Sequence, residues 1–190
     1  ASLGGRSISI GPIQALATDA IKQTWLPDIV AGRKGSALAI TEPGGGSDVA
    51  NLKTRARRDG DDWVINGEKT FITGGMYAGC YVVGARTGGP GLGGVSLFFV
   101  EADRPGFSKT PIERKMGWWA SDTATLRFDE VRVPADHLLG EENLGFLAIV
   151  DNFNAERLAM TAQCLGMMKA CLEDAVDWAR DRETFGKPLI

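Results

Sequence analysis

Thr41-Glu42-Pro43-Gly44-Gly45-Gly46-Ser47-Asp48 follows a short apolar run, Ala37 to Ile40, and reads as a strand breaking into a glycine-rich turn. Three successive glycines let main-chain N–H groups converge without obstruction by Cβ, and Ser47 adds a hydroxyl. That chemistry suits a phosphate or the polar edge of a heterocycle. A second stretch, Gly67-Glu68-Lys69-Thr70-Phe71-Ile72-Thr73-Gly74-Gly75, ends another strand on a hydroxyl beside an aromatic. A flat ring that needs one hydrogen bond and one stacking surface is served by such a strand end. Alone, the first stretch also reads as a plain turn and Phe71 as a core strand residue. Together they point to a cofactor pocket.

The elements that must position these stretches differ along the chain. Residues 1 to about 35 read as helical: Thr18 and Asp19 offer N-caps, Ala20, Ile21, Trp25 and Leu26 have helical spacing before Pro27, and Gly32 and Gly35 mark the exit. From about 36 to 134 the periodicity is that of strands. Asp62 to Ile72 reads as a hairpin turning at Asn66-Gly67, and Asp59-Gly60 as a further tight turn. Tyr81 to Ala85 and Val95 to Val100 are short apolar strands, joined by a glycine-rich stretch, Thr87 to Gly94, that reads as a flexible connection. Thr123, Thr125 and Arg127 alternate with Ala124, Leu126 and Phe128, the pattern of a half-buried strand. Many short strands without intervening helices predict an α+β chain, a small antiparallel β-barrel or sandwich flanked by helices. From about Asn143 to Arg182 the pattern is one long helix. Leu158, Leu165, Leu172 and Ala179 recur every seven residues, and Phe153, Met160 and Met167 form a second stripe. Apolar residues surround its first half, which predicts burial on several sides. At ~1.5 Å per residue it would run roughly 55–60 Å, more than a small β domain can cover. Both ends read as cuts in a longer chain, at Ala1 and at Pro188-Leu189-Ile190.

Bulk properties exclude several classes. A formal charge of −3 over 190 residues makes no electrostatic case for nucleic acid. Lys53, Arg55, Arg57 and Arg58 alternate with Thr54 and Ala56 as the wet face of a strand would. No apolar stretch is long enough to span a bilayer, and no signal peptide is visible. Cys80, Cys164 and Cys171 lack metal-ligand spacing and read as small buried residues. His137, the sole histidine, reads as a loop residue, so neither a metal centre nor a serine–histidine–acid triad is expected. Glu42 and Asp48 read as turn and capping residues, and Trp118 and Trp119 as strand-edge packing.

In order and spacing these stretches resemble the acyl-CoA dehydrogenase family. That family carries T-E-P-G-x-G-S-D, then N-G-x-K-x-[WF]-I-T, then M-G-x-x-x-S-D-T, then R-x-T-F-G-K. Here they stand at Thr41 to Asp48, Asn66 to Thr73, Met116 to Thr123 and Arg182 to Lys187, over nearly the whole chain. The resemblance implies an α-β-α protein that encloses FAD. Residues 1–35 would be the tail of an N-terminal helical domain, 36–142 the middle β domain, and 143–190 the start of a C-terminal helical domain. It implies oxidation of an acyl-CoA thioester to the trans-2-enoyl-CoA. A carboxylate takes the α-proton, the β-hydrogen leaves as hydride to the flavin, and an electron-transferring flavoprotein accepts the electrons. A homodimer or homotetramer, a place in fatty acid metabolism, and a bacterial cytoplasm or mitochondrial matrix are implied as well.

Family roles fall on matching positions. Leu38, Ile40 and above all Thr41 would meet the flavin ring. Gly46 and Ser47 would approach the cofactor's phosphates, and Ser47 the pantetheine of the thioester. Phe71 would stack on the flavin, with Ile72 beside it and Thr73 bonded near N5. Phe71 replaces the tryptophan common in relatives, and Gly74 stands where many carry asparagine. Arg182, Thr184 and Phe185 would reach FAD in a neighbouring subunit, arginine matching a pyrophosphate bidentately. Most members place the catalytic glutamate beyond the equivalent of residue 190. A minority, resembling isovaleryl-CoA and long-chain dehydrogenases, place it in a Glu-Arg-Leu context on the first C-terminal helix, as at Glu156-Arg157-Leu158. Beside Phe153 and Met160, burial would raise the Glu156 pKa toward that of a base, while Arg157 would oppose the shift. Asn154 and Arg157 would line the acyl-CoA channel. A helix-start glutamate paired with a charged neighbour is the plain alternative. Two other readings stay open: a flavin oxidase or monooxygenase of the same superfamily, and a non-catalytic β module that binds a ligand or partner.

Overall fold

The computed structural model describes the backbone of residues 3–190 and side chains from Ile8 onward. Two helices lead, α1 (Leu3–Leu16) and α2 (Asp19–Val30). Thr18 caps α2 with its hydroxyl, which accepts from Ile21 N. Pro27 does not end α2, because it falls in the last turn and removes a single main-chain donor. Gly32, at φ +73°, closes the helix by donating to Ile29 O.

Strands β1 (Gly35–Ala39), β2 (Arg55–Asp59), β3 (Asp62–Thr73), β4 (Ala78–Arg86), β5 (Val95–Glu101), β6 (Phe107–Pro111), β7 (Thr123–Pro134) and β8 (Leu138–Leu139) follow. Among the described residues these eight form one sheet in the order β6-β7-β3-β2-β4-β5-β8, with β1 paired to β4. The sheet wraps one core cluster in which Trp63, Ile65 and Ile72 of β3 and Leu126, Phe128 and Val131 of β7 meet Tyr81 and Val83 of β4 and Phe98 and Val100 of β5, while Val82, Leu97 and Phe99 are buried outside it. A sandwich is therefore the better half of the barrel-or-sandwich expectation, since the sheet is not closed. It is also mixed: β1 runs parallel to β4, in register Ala37↔Tyr81 and Ala39↔Val83.

One turn expectation fails. Asn66-Gly67 is no hairpin turn; β3 runs straight through it, and the hairpin lies at Asp59↔Asp62, where Gly60 sits at φ +65°. Two contacts override the dipeptide's turn preference. A Cβ on Gly67 would stand 2.5–2.8 Å from Thr54, so glycine there permits a close approach of chains. Asn66 is committed to β7, donating to Glu130 Oε1 and accepting from Glu130 N. The stretch from Thr87 to Gly94 is also no loose connection. The buried Arg86 guanidinium donates to the carbonyls of Leu52, Gly89, Gly91 and Ala50. Thr87 bonds to Ser96 and Asn143.

The chain divides into two compact units, residues 1–152 and 153–190. Helix α3 (Gly145–Asp181) begins in the first. There Gly145 sits where a Cβ would be 2.7–2.8 Å from the main chain of Ser96 and Leu97. Within the second unit α3 continues and is followed by a small hairpin of β9 (Glu183–Thr184) and β10 (Lys187–Pro188). Leu158, Met160, Leu165, Met167, Met168 and Leu172 are all exposed on the helix, so both apolar stripes lie open. Cys164 and Cys171 are exposed there too, against the expectation of burial, whereas Cys80 is buried in β4. Among the described residues, no helix is long and apolar enough to cross a membrane.

Candidate active site

The two strand exits singled out by residue type meet. Thr70 N donates to Thr41 O at 2.9 Å, which joins the end of β1's chain to the end of β3. Lys69 makes the same junction from behind: its Nζ donates to Ile40 O at 3.0 Å and to Glu42 Oε1 at 2.8 Å. Glu42 also accepts from Lys53 N (2.6 Å, on Oε2) and Thr54 N (2.8 Å, on Oε1). Lys69 is wholly buried and Glu42 nearly so. Burial pushes the Glu42 carboxyl up, but the Lys69 charge and hydrogen bond, with the bonds from Lys53 and Thr54, outweigh it and hold it below its ordinary value. Full burial pushes the Lys69 ammonium down to about 8, against the pull of Glu42. Glu42 is structural, but its side chain is the buried partner of Lys69 rather than the turn and capping group expected. Lys69 is the residue that sequence reasoning passed over. Its even spacing after Trp63 and Ile65, both inward-facing, is the signal that places it inside.

On β3 the pairs Lys69↔Leu126 and Ile72↔Ala124 set three steps against two on β7. This bulge inserts one extra residue, with Thr70 and Phe71 facing Thr125. In a regular strand Phe71 would share Lys69's face and be buried. Here it adopts φ +57° and turns its ring outward, 66 % exposed. An aromatic side chain in the left-handed region is strained, and a strained residue persists where its surroundings hold it. Ile72 returns to the core and Thr73 is exposed. The turn after Thr73 is held by Asp122: Gly74 N donates to its carbonyl and Met76 N to its carboxylate at 2.7 Å. Gly74 lies at φ +75°, a conformation natural to glycine and tolerated by asparagine.

The glycine run does less than its composition promises. Glu42 and Gly45 exchange main-chain bonds of 3.1 and 3.0 Å, so the Gly45 N–H closes the Pro43-Gly44 turn. Gly46 folds back over Thr41: a Cβ there would lie 3.2 Å from Thr41 Cγ2. That return brings Ser47, which is exposed, past the half-buried Thr41. Leu38 is half-buried in β1, while the side chains of Ile40 and Ile72 are in the core and support the exits from within.

The remaining candidates stand in the second unit. Glu156 is half-buried on α3, while Asn154 and Arg157 are exposed and bonded to each other at 3.2 Å. Arg182, Thr184 and Phe185 gather around the terminal hairpin; Phe185, at φ +56° and followed by Gly186 at φ +75°, forms its tip and is fully exposed. His137 ends a short 3-10 turn, Ala135–His137, between β7 and β8. It is buried, with Nδ1 3.1 Å from Phe99 O and 3.5 Å from Glu101. Trp118 and Trp119 do not pack a strand edge but lie exposed on the loop between β6 and β7.

Around one junction stand an exposed ring, exposed hydroxyls at Thr73 and Ser47 and the open Gly45, groups of the kind that would hold a flat, polar-edged ring and a diphosphate. Residues 37–131 match the acyl-CoA dehydrogenase middle domain and residues 143–190 the acyl-CoA dehydrogenase C-terminal domain. The chain belongs to the acyl-CoA dehydrogenase family. It is 46 % identical over 164 residues to cyclohexane-1-carbonyl-CoA dehydrogenase of Geobacter metallireducens, covering 86 % of this chain and 43 % of that protein. A probable acyl-CoA dehydrogenase from Mycobacterium abscessus superposes with a TM-score of 0.92 at 49 % identity, over 97 % of this chain and 49 % of the other. A glutaryl-CoA dehydrogenase from Mycobacterium smegmatis, solved in complex with FADH2, superposes at 0.87 with 37 % identity, over 96 % and 46 %. The chain spans less than half the length of the curated relatives it matches.

Proposed function

We propose that the whole protein dehydrogenates an acyl-CoA thioester to the trans-2-enoyl-CoA with FAD as oxidant, and passes the electrons to an electron-transferring flavoprotein. The observation that carries this reading is the Thr41–Thr70 junction, with Phe71 turned out of β3 by a bulge beside the exposed Thr73. The FADH2 complex of a relative at 37 % identity supports the choice of cofactor. Bound there, FAD supplies the two-electron acceptor for the β-hydrogen. The chain's residues would do the rest. Phe71 offers the stacking face and Thr73 and Thr41 offer hydroxyls at the ring's polar edge. Gly46 and Ser47 leave room for the diphosphate, and Ser47 also faces the thioester's pantetheine. Leu38, with Ile40 and Ile72 packed behind, keeps the ring's surroundings dry. Glu156 is the base that receives the α-proton on its carboxylate as the β-hydrogen departs, and Asn154 and Arg157 line the acyl-CoA channel. Arg182, Thr184 and Phe185 reach the FAD of a second copy, in a homodimer or homotetramer working in a bacterial cytoplasm or mitochondrial matrix.

The test is anaerobic bleaching of bound flavin by a panel of acyl-CoA thioesters, with the complete protein. One thioester is expected to bleach the parent rapidly. Glu156→Gln should bind FAD as the parent does yet bleach slower by about a thousandfold or more. Equal bleaching rates would remove Glu156 as the base; no bleaching by any thioester would remove the dehydrogenase reading.

A further inference from the structure

We propose that Lys69 and Glu42 are a positioning pair for the flavin site: their buried ion pair fixes the main chain of Ile40–Thr41 against that of Thr70–Phe71. The pair thereby sets the gap that grips a flat ring. This inference rests on the flavin reading above and concerns two residues that touch no ligand themselves.

The geometry is one of consecutive residues. Along one arm, Ile40 O, Thr41 O and the Glu42 carboxylate are acceptors; along the other, Lys69 Nζ and Thr70 N are their donors. Three bonds thus lock three residues of one arm to two of the other. Glu42 extends the lock to a third segment through Lys53 N and Thr54 N. No freedom remains for one arm to slide along the other without breaking a charge-assisted bond in a dry site.

Stability alone does not account for such a pair. Two apolar residues of similar size commonly stabilise a core as well as a buried ion pair does, or better. What apolar residues lack is direction: they cannot hold the Ile40 carbonyl in one place. Register matters here because Phe71, one residue beyond Thr70, is strained and sits in a bulge, and a slip of one residue would exchange core-facing for solvent-facing side chains. A cation anchored at residue 69 selects the arrangement that turns the ring outward.

The test compares the parent with Lys69→Met/Glu42→Gln and with Glu42→Gln alone, each made in the complete protein. Three quantities are read: thermal stability of the apoprotein, affinity for added FAD, and position of the bound flavin's visible band. The neutral double variant should melt close to the parent, yet hold FAD about tenfold more weakly and with a shifted band. FAD affinity within about twofold of the parent and an unmoved band would overturn the proposal. So would an affinity loss matched by an equal loss of apoprotein stability, which marks a purely structural pair. Should the double variant not fold, Glu42→Gln decides on the same readouts. It keeps the side chain's size and an acceptor for Thr54 N while removing the charge, so weaker FAD binding with a shifted band supports the pair and parental behaviour overturns it. A parent that takes up no FAD overturns the flavin reading itself, and this inference with it; a parent that binds FAD beside an unaffected variant overturns the inference alone.

Discussion

The back and the front of the Thr41–Thr70 junction are built on opposite terms. At the back, Lys69, Glu42, Ile40 and Ile72 are buried, and each polar group there has a named partner. At the front, Phe71, Thr73, Gly45 and Ser47 are exposed, and Phe71 is held in a conformation its own chemistry disfavours. Along the chain the halves interleave: Ile72 adjoins Phe71 and Thr73, Lys69 lies two positions before Phe71, and Glu42 three before Gly45. The division gives the buried side chains the task of holding the junction and the exposed ones the proposed ligand chemistry. Substitutions that leave a buried group at the back without its partner should cost stability, whereas those at the front should leave the protein folded and weaken its binding.

The largest effect is expected from Glu42→Ala. It strands the Lys69 ammonium in the core and leaves Lys53 N and Thr54 N without their acceptor. Chemical denaturation at neutral pH should show a loss of about 3–5 kcal/mol. An effect below about 1 kcal/mol would mean that water reaches the pair and the back is not closed. The pH dependence sharpens the point. Folded chains release the Lys69 proton near pH 8 and unfolded chains near 10.5. Across that window the unfolded state binds more protons, so this group makes stability rise with pH. Glu42 is what holds the proton on. In Glu42→Ala the rise should therefore begin at lower pH than in the parent.

Next in size is Gly67→Ala. The new Cβ would stand 2.5–2.8 Å from Thr54, which is itself bonded to Glu42, and the backbone there has φ +147°. Destabilisation of about 2–3 kcal/mol is expected in the same denaturation experiment. Because Thr54 is shared, Gly67→Ala and Glu42→Ala combined should fall short of additivity. Strict additivity would show that strain at Gly67 does not reach the pair.

How far the sequence disclosed this site follows the same division. The front was legible because its chemistry is local: a glycine run after a strand, a hydroxyl beside an aromatic, all within a few residues. The back was not, because its chemistry is a meeting of distant residues. A lysine in a strand reads by default as a solvent-facing residue, and only the inward register set by Trp63 and Ile65 argues otherwise. Gly67 failed for a related reason. Asn-Gly is a strong turn signal when nothing else constrains it, but the close approach of Thr54 and the two bonds to Glu130 lie outside any local window. Helix α3 was read correctly from its seven-residue recurrences, which need only one element to appear. The bulge at Thr70–Phe71 left no trace in composition. It is visible only as three residues of β3 set against two of β7.

The smallest effect on stability, and the sharpest cut between the halves, is expected from Phe71→Gly. The phenyl ring is 66 % exposed, so removing it from the apoprotein gives up little buried apolar surface. Glycine adopts φ +57° without a Cβ penalty, so the backbone strain is relieved. Against these stands glycine's greater freedom in the unfolded chain, which costs about 0.5–1 kcal/mol. The terms nearly cancel, and the apoprotein should melt within about 1 kcal/mol of the parent. FAD binding should nevertheless weaken by about tenfold, since an aromatic stacking partner contributes about 0.5–1.5 kcal/mol beyond the area it buries. A large loss of stability would show that the ring is packed rather than presented. Unchanged FAD affinity would show that the bulge turns Phe71 outward for some purpose other than stacking on a flavin.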